Sequence, residues 1–249
     1  FGELGVTILD GKLGFNPCLL RKNEFLQESK IFHYIAIPKK QDSILISKDS
    51  LCFTYCQVPV IYTIAEEDDI FLEGTGSMIL DRKNRKAYCA LSPRADEELF
   101  IEFCEDFEYT PVIFTANQTV NGKREKIYHT NVMMCIAETF VVICLSSIDD
   151  KAERKHLLKH FKEDGKKVID ISEDQVDCFA GNMLQVCGKG EERFLIMSQA
   201  ALESLTPSQQ TQIQHHCQII SSSLETIEAC GGGSARCMMA EVFLPKKSS

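Results

Sequence analysis

The chain has 249 residues, of which 44% are hydrophobic and 25% charged, and its formal net charge is −9. That length suffices for a substantial core in one large domain or two small ones. The acidic balance argues against a nucleic-acid or anionic-membrane partner, either of which would want a basic face, and fits a small-molecule or protein partner.

No stretch approaches the roughly eighteen uninterrupted apolar residues that span a bilayer, and the opening "FGELGVTILDGKLGF" lacks the basic start of a signal peptide. A cytoplasmic protein is expected, and a start on Phe1 in strand-like sequence leads us to expect further sequence upstream. Most of the twelve cysteines sit in apolar runs such as "KAYCALS" and "FVVICLSS", where a thiol packs as a small hydrophobe. Reduced cysteines are therefore expected, with no disulfide framework. Cys52 and Cys56 have no second ligand pair at zinc spacing, so neither metal nor cofactor is expected.

In chain order, "LGVTILDGKLGF" reads as two strands, "LLRKNEFLQES" as a helix, and "IFHYIAIP" and "DSILISKDSLCFTY" as further strands. From Gly76 a pattern repeats, restarting at Thr130 and Gly181. Each segment reads as a short apolar strand, a polar turn, a second strand ending at serine (Ser92, Ser146, Ser198), an amphipathic helix and a third strand. Helix signals support this. Thr206, Pro207 and Gln209 form a capping box with proline at the first helical position, and Ser147 and Asp150 stand in the same relation. Leu157, Leu158 and Phe161 make an apolar stripe ending at Gly165. The organisation is a single domain with repeats at about 1–72, 76–128, 130–180 and 181–230, and a closing strand at 235–245. Five such units closed around an axis would bury every opening strand; a generic mixed α/β sandwich is the alternative.

In a closed repeat, polar residues of one phase converge near the axis. The residues before the opening strands are Glu73 in "FLEGTGSMIL", His129 in "IYHTNVMM", the segment "CFAGNMLQ", and Cys237 in "SARCMMAE". A carboxylate, an imidazole and a thiol sharing one phase are the types that a cysteine nucleophile needs: a proton carrier and an orienting anion. Gly231–Gly233, entering a strand, and Gly74 and Gly76 would let the backbone approach a ligand. Neither glycine tract is a phosphate loop, and "GKGEER" at 188–193 reads as a turn between strands. His156 and His160 read as a solvated helix face, and His215 and His216 as complements to a helix dipole.

"LEGTGSMILD", "YHTNVMM" and "GGGSARCMMAE", in this order, resemble the guanidino-modifying penteins, five-bladed α/β-propellers that include arginine deiminases, dimethylarginine hydrolases and glycine amidinotransferases. The branch described as citrulline-utilisation hydrolases is the most similar, over about residues 70–245. The resemblance implies Cys237 as nucleophile, His129 as general acid/base and Glu73 as the catalytic carboxylate, with Asn131, Arg236, Gly233 and Ser234 around the substrate. The substrate would be a small guanidino or ureido amino acid: arginine, a methylarginine or citrulline. Deiminases and amidinotransferases carry an aspartate where this chain has Asn131, a change that points toward citrulline-like or substituted substrates. The family's N-terminal acidic motif has no clear match before residue 70. Arg236 would either tune the thiol or point outward. Amidino transfer to an amine uses the same residues, a silent binding pentein is the non-enzymatic alternative, and a homodimer is compatible with either.

Overall fold

A computed structural model describes residues 69–188 and 192–240 (the backbone alone at Ala240), together with the backbone of four short strands nearer the N-terminus. Those strands are β1 (Gly5–Leu9), β2 (Lys12–Asn16), β3 (Leu45–Ile46) and β4 (Phe53–Thr54). β1 and β2 form the antiparallel pair expected from "LGVTILDGKLGF". The expected helix "LLRKNEFLQES", the strand "IFHYIAIP" and Cys52 and Cys56 fall outside the described residues, as do residues 189–191 of the turn "GKGEER".

The fold is mixed α/β, and three units share one topology. In the first, β5 (Met78–Asp81) is antiparallel to β6 (Lys86–Ala90), the helix Glu97–Asp106 crosses over, and β7 (Thr110–Phe114) returns parallel to β6. A hairpin of β8 (Asn117–Val120) and β9 (Lys123–Lys126) leads to the second unit. There β10 (Met134–Ile136), β11 (Phe140–Ile143), the helix Lys151–Glu163 and β12 (Lys167–Asp170) repeat the arrangement. The third unit has β13 (Leu184–Cys187), β14 (Arg193–Ser198), the helices Gln199–Ser204 and Pro207–Gln214, and β15 (Gln218–Ser222). Finally β16 (Met239–Ala240) lies parallel to β1.

Several sequence expectations need correction. β6 and β11 end at Ala90 and Ile143, before Ser92 and Ser146; only β14 ends at its serine, Ser198. The helix of the second unit is capped by Asp150, whose carboxylate accepts from both Ala152 N and Glu153 N, so Ser147 is left in a preceding 3-10 turn. Gly231–Gly233 does not enter a strand. It closes the helix Glu225–Gly231, with Gly232 in the left-handed conformation at φ 66° that glycine adopts without steric cost. The expected strand 235–245 begins as a 3-10 turn, Arg236–Met238. His216 does more than face a helix end: its Nδ1 lies 2.8 Å from Thr139 Oγ1 and its ring packs on Phe140. The Thr206 capping box and the buried Leu157–Phe161 stripe form as expected.

Burial of β6 explains how units join. Ala87 and Cys89 point into a cluster with Phe100, Phe103 and Cys104 of their own unit's helix, whereas Tyr88 and Ala90 point into the core shared with the second unit. Successive strand residues alternate faces, so a strand buried on both faces belongs to two cores at once. Tyr88 stacks on Phe161 with ring centroids 5.3 Å apart. Burying each such aromatic contributes about 1.5–3 kcal/mol. A buried ion pair, Lys166 Nζ to Asp81 Oδ2 at 2.9 Å, joins the same two units, and Lys166 also donates to Ala137 O and Glu138 O. Among the described residues no helix is long and apolar enough to cross a membrane.

Candidate active site

Helical turns lead into three strands: Gly74–Ser77 before β5, Thr130–Met133 before β10 and Arg236–Met238 before β16. The third unit has a hydrogen-bonded turn instead, Asn182 N donating to Phe179 O. Glu73 and His129 stand at the N-caps of the first two turns, and Cys237 lies inside the last.

The turns are held by hydrogen bonds between units. The Ser77 hydroxyl accepts from Glu73 N at 3.0 Å and donates to Arg94 O. Thr130 Oγ1 accepts from Ala90 N and donates to Ser77 O, pinning the His129 turn to the Glu73 turn. Ser92 Oγ donates to Tyr128 O. As a result Glu73 Oε2 lies 2.7 Å from His129 Nε2. The imidazole side chain is 4% exposed and the carboxylate side chain 41%. Arg94 Nη1 stands 3.6 Å from the same Glu73 oxygen, its guanidinium over the Tyr128 ring.

Gly76 lies under the imidazole: a Cβ there would meet His129 Cε1 and Nδ1 at 2.8 Å. Gly74, at φ 53°, serves the turn by its backbone conformation alone. Asn131, buried two residues after His129, donates to Thr75 O at 3.2 Å.

Cys237 Sγ is bound by Asn182 Nδ2 at 3.2 Å, and Asn182 Nδ2 also donates to Asn131 O at 3.0 Å. The thiol turn is thus tied through Asn182 to the histidine turn. Tyr128 makes a second tie, its hydroxyl donating to Gly232 O at 3.0 Å. A Cβ on Gly233 would stand 3.2 Å from Cys237 Sγ, so glycine leaves the thiol its space. Ser234 turns away from the thiol, its hydroxyl bound to Glu228 Oε1 at 2.6 Å. Arg236 is buried, with Nη1 donating to Met239 O and its backbone N–H donating to Asn182 Oδ1.

The other thiols differ in kind. Burial pushes the Cys89 and Cys217 thiols up, and that of Cys104 up to about 12, which leaves them protonated and inert. Cys237 is half-buried. Among the described residues no group of three or more His, Cys, Asp or Glu side chains is arranged to hold a metal ion.

Sequence reading passed over Asn182, Arg94 and Tyr128. Asn182 carried a signal, since it stands just before the opening strand β13 of its unit, as Cys237 stands just before β16. Arg94 and Tyr128 carried none, because their roles depend on contacts between units.

The chain is a pentein, a member of the superfamily of arginine-modifying and amidinotransferase-related enzymes. A profile of the eukaryotic N,N-dimethylarginine dimethylhydrolases matches residues 39–244, and the chain belongs to that family. A search of curated proteins gives no match. Among solved structures, the apo form of ArgZ, an arginine dihydrolase from the ornithine-ammonia cycle in cyanobacteria, is 15% identical with a TM-score of 0.51. The match covers 67% of this chain and 24% of ArgZ. AgrE, in its complex with ornithine and NAD+, is 19% identical with a TM-score of 0.51, over 71% of this chain and 23% of that one. This chain therefore spans about a quarter of either neighbour.

Proposed function

We propose that the chain hydrolyses a C–N bond of a guanidino or ureido group in a small arginine-like amino acid through a covalent intermediate on Cys237. The observation that carries this is the connection of Glu73–His129, across Asn131 and Asn182, to Cys237 Sγ. Membership of the dimethylarginine dimethylhydrolase family supports it, as do neighbours solved with L-arginine (AgrE) and with substrate (ArgZ).

In this reading the Cys237 thiolate attacks the central carbon and a C–S bond forms. The departing amine takes a proton from His129 as its C–N bond breaks. His129 then removes a proton from water, which attacks the same carbon; the C–S bond breaks and the thiolate returns. Glu73 orients the imidazole through Nε2 and places negative charge where a planar N–H group of the substrate can donate to it. Proton transfer by His129 contributes about 10² to 10⁴ in rate.

The fold in this reading is a five-bladed pseudo-symmetric α/β-propeller. Three units of one topology support it, as does β16 from the chain's end beside β1. β16 lies parallel to β1, whereas each full unit's opening strand is antiparallel to its neighbour, so the last strand joins the first hairpin from outside it. Gly233 lies at the thiol, whereas Ser234 and Arg236 support the turn that carries it.

The test is ammonia and alkylamine release from arginine, methylarginines and citrulline by native protein and by Cys237→Ala. Turnover of at least one of them, abolished in Cys237→Ala, is expected. No turnover of any, with Cys237 unreactive to iodoacetamide near neutral pH, overturns the reading.

A further inference from the structure

We propose that Asn182 is the group that holds the Cys237 thiolate and sets its register against the His129 turn. The proposal rests on Cys237 being the nucleophile and names a residue that works on it.

The orientation of the Asn182 amide follows from its partners. The Arg236 backbone N–H can only donate and lies 3.0 Å from one end of the amide, so that end is the oxygen. The Asn131 carbonyl can only accept, and lies 3.0 Å from the other end, which is therefore the NH2 group. That group is also 3.4 Å from Asn131 Oδ1 and 3.2 Å from Cys237 Sγ. With one N–H committed to the Asn131 backbone, the second faces sulfur.

Asn182 is 1% exposed, so water does not compete for these bonds. It has little freedom to move. A Cβ on the preceding Gly181 would fall 2.3 Å from Val132 O and 2.7 Å from Met133 Cα, so the main chain here packs directly on the turn that carries His129. The opposite end of the side chain grips Arg236 N, one residue before the thiol. Asn182 thus spans two turns from different units, and a shift of either would break a buried hydrogen bond.

A thiolate accepts hydrogen bonds more strongly than a thiol, so an N–H aimed at sulfur favours the ionised form. Because Asn182 is neutral it does this without placing a second cation beside a cationic guanidinium. The same donor can follow the sulfur as its charge falls on C–S bond formation and returns on hydrolysis.

The test follows iodoacetamide alkylation against pH, resolved by peptide mass spectrometry, in the full chain carrying native Asn182, Asn182→Asp or Asn182→Ala. Exposed Cys187 and Cys230 serve as internal references. Asp keeps the acceptor for Arg236 N and exchanges the donor at sulfur for a carboxylate oxygen. Cys237 in the native chain is expected to react faster than the references near neutral pH. In Asn182→Asp its rate at pH 7 should fall about tenfold or more, with the midpoint moved to higher pH. Asn182→Ala should move it the same way by less, the references staying unchanged, and kcat should fall with KM nearly constant. An unshifted Cys237 profile in folded variants overturns the proposal and leaves Cys237 as nucleophile. Loss of the folded state in both variants also overturns it, by assigning Asn182 to the fold alone. A native Cys237 no faster than Cys187 and Cys230 overturns the nucleophile reading itself.

Discussion

Glu73 Oε2 and His129 Nε2 are 2.7 Å apart, although the two residues are 56 positions apart and open different repeat units. In the proposed reaction the Glu73 carboxylate accepts from Nε2, which leaves Nδ1 to exchange protons with substrate and water. Glu73→Gln preserves the shape and removes the charge. We expect kcat to fall about 10²-fold or more, measured by amine release. The melting temperature should hardly change, since the carboxylate is 41% exposed and such pairs contribute little to stability.

Gly76 permits the imidazole to lie where it does. An added methyl would meet three ring atoms of His129 at 2.8 to 3.1 Å, and the buried ring has little room to retreat. Gly76→Ala should therefore lower kcat about 10²-fold by misplacing the proton carrier, with a stability loss of about 1–3 kcal/mol from overpacking. Steady-state kinetics beside urea unfolding separate the two effects.

Lys166 and Asp81 are 1% and 4% exposed and join the first two units. Lys166→Met leaves the Asp81 carboxylate buried without its cation, and unfolding by urea should show a loss of about 3–5 kcal/mol. The double variant Lys166→Met, Asp81→Leu should recover part of that loss, because an apolar pair carries no desolvation cost.

His160 sits on the helix Lys151–Glu163 with its Nε2 3.1 Å from His156 Nε2. Desolvation lowers its pKa, with Lys86 and His156 adding to the effect against the opposing pull of Glu163 and Asp164. The unfolded chain then takes up a proton that the folded chain resists. The contribution is fully favourable above the ordinary value of 6.5 and is lost as pH falls toward the depressed folded value. Between pH 7.5 and 5.5 the native melting temperature should drop further than that of His160→Gln, and equal slopes would refute this.

The unit was legible in the sequence because its signals are local. The apolar strand runs, the Thr206 capping box and the apolar stripe of Leu157 and Phe161 depend on neighbours within a few positions. The recurrence of a polar residue just before a strand, at Glu73, His129 and Cys237, was legible for the same reason, but the structure puts the first two at N-caps and Cys237 inside its turn. The helical turns Gly74–Ser77, Thr130–Met133 and Arg236–Met238 were not, since helices of three or four residues have no periodicity to read.

By itself the sequence determined the repeat, the Thr206 helix start and the residue types at the head of each unit, all set by short-range signals. The tertiary structure decided what those heads do to one another. It put Glu73 on the imidazole, with Arg94 beside it, and turned Ser234 and Arg236 to supporting the thiol's own turn. It also brought Asn182 onto Cys237 Sγ. The Glu73–His129 and Asn182–Cys237 contacts join groups 56 and 55 residues apart, whose directions are fixed only when the units pack and exclude water from between them.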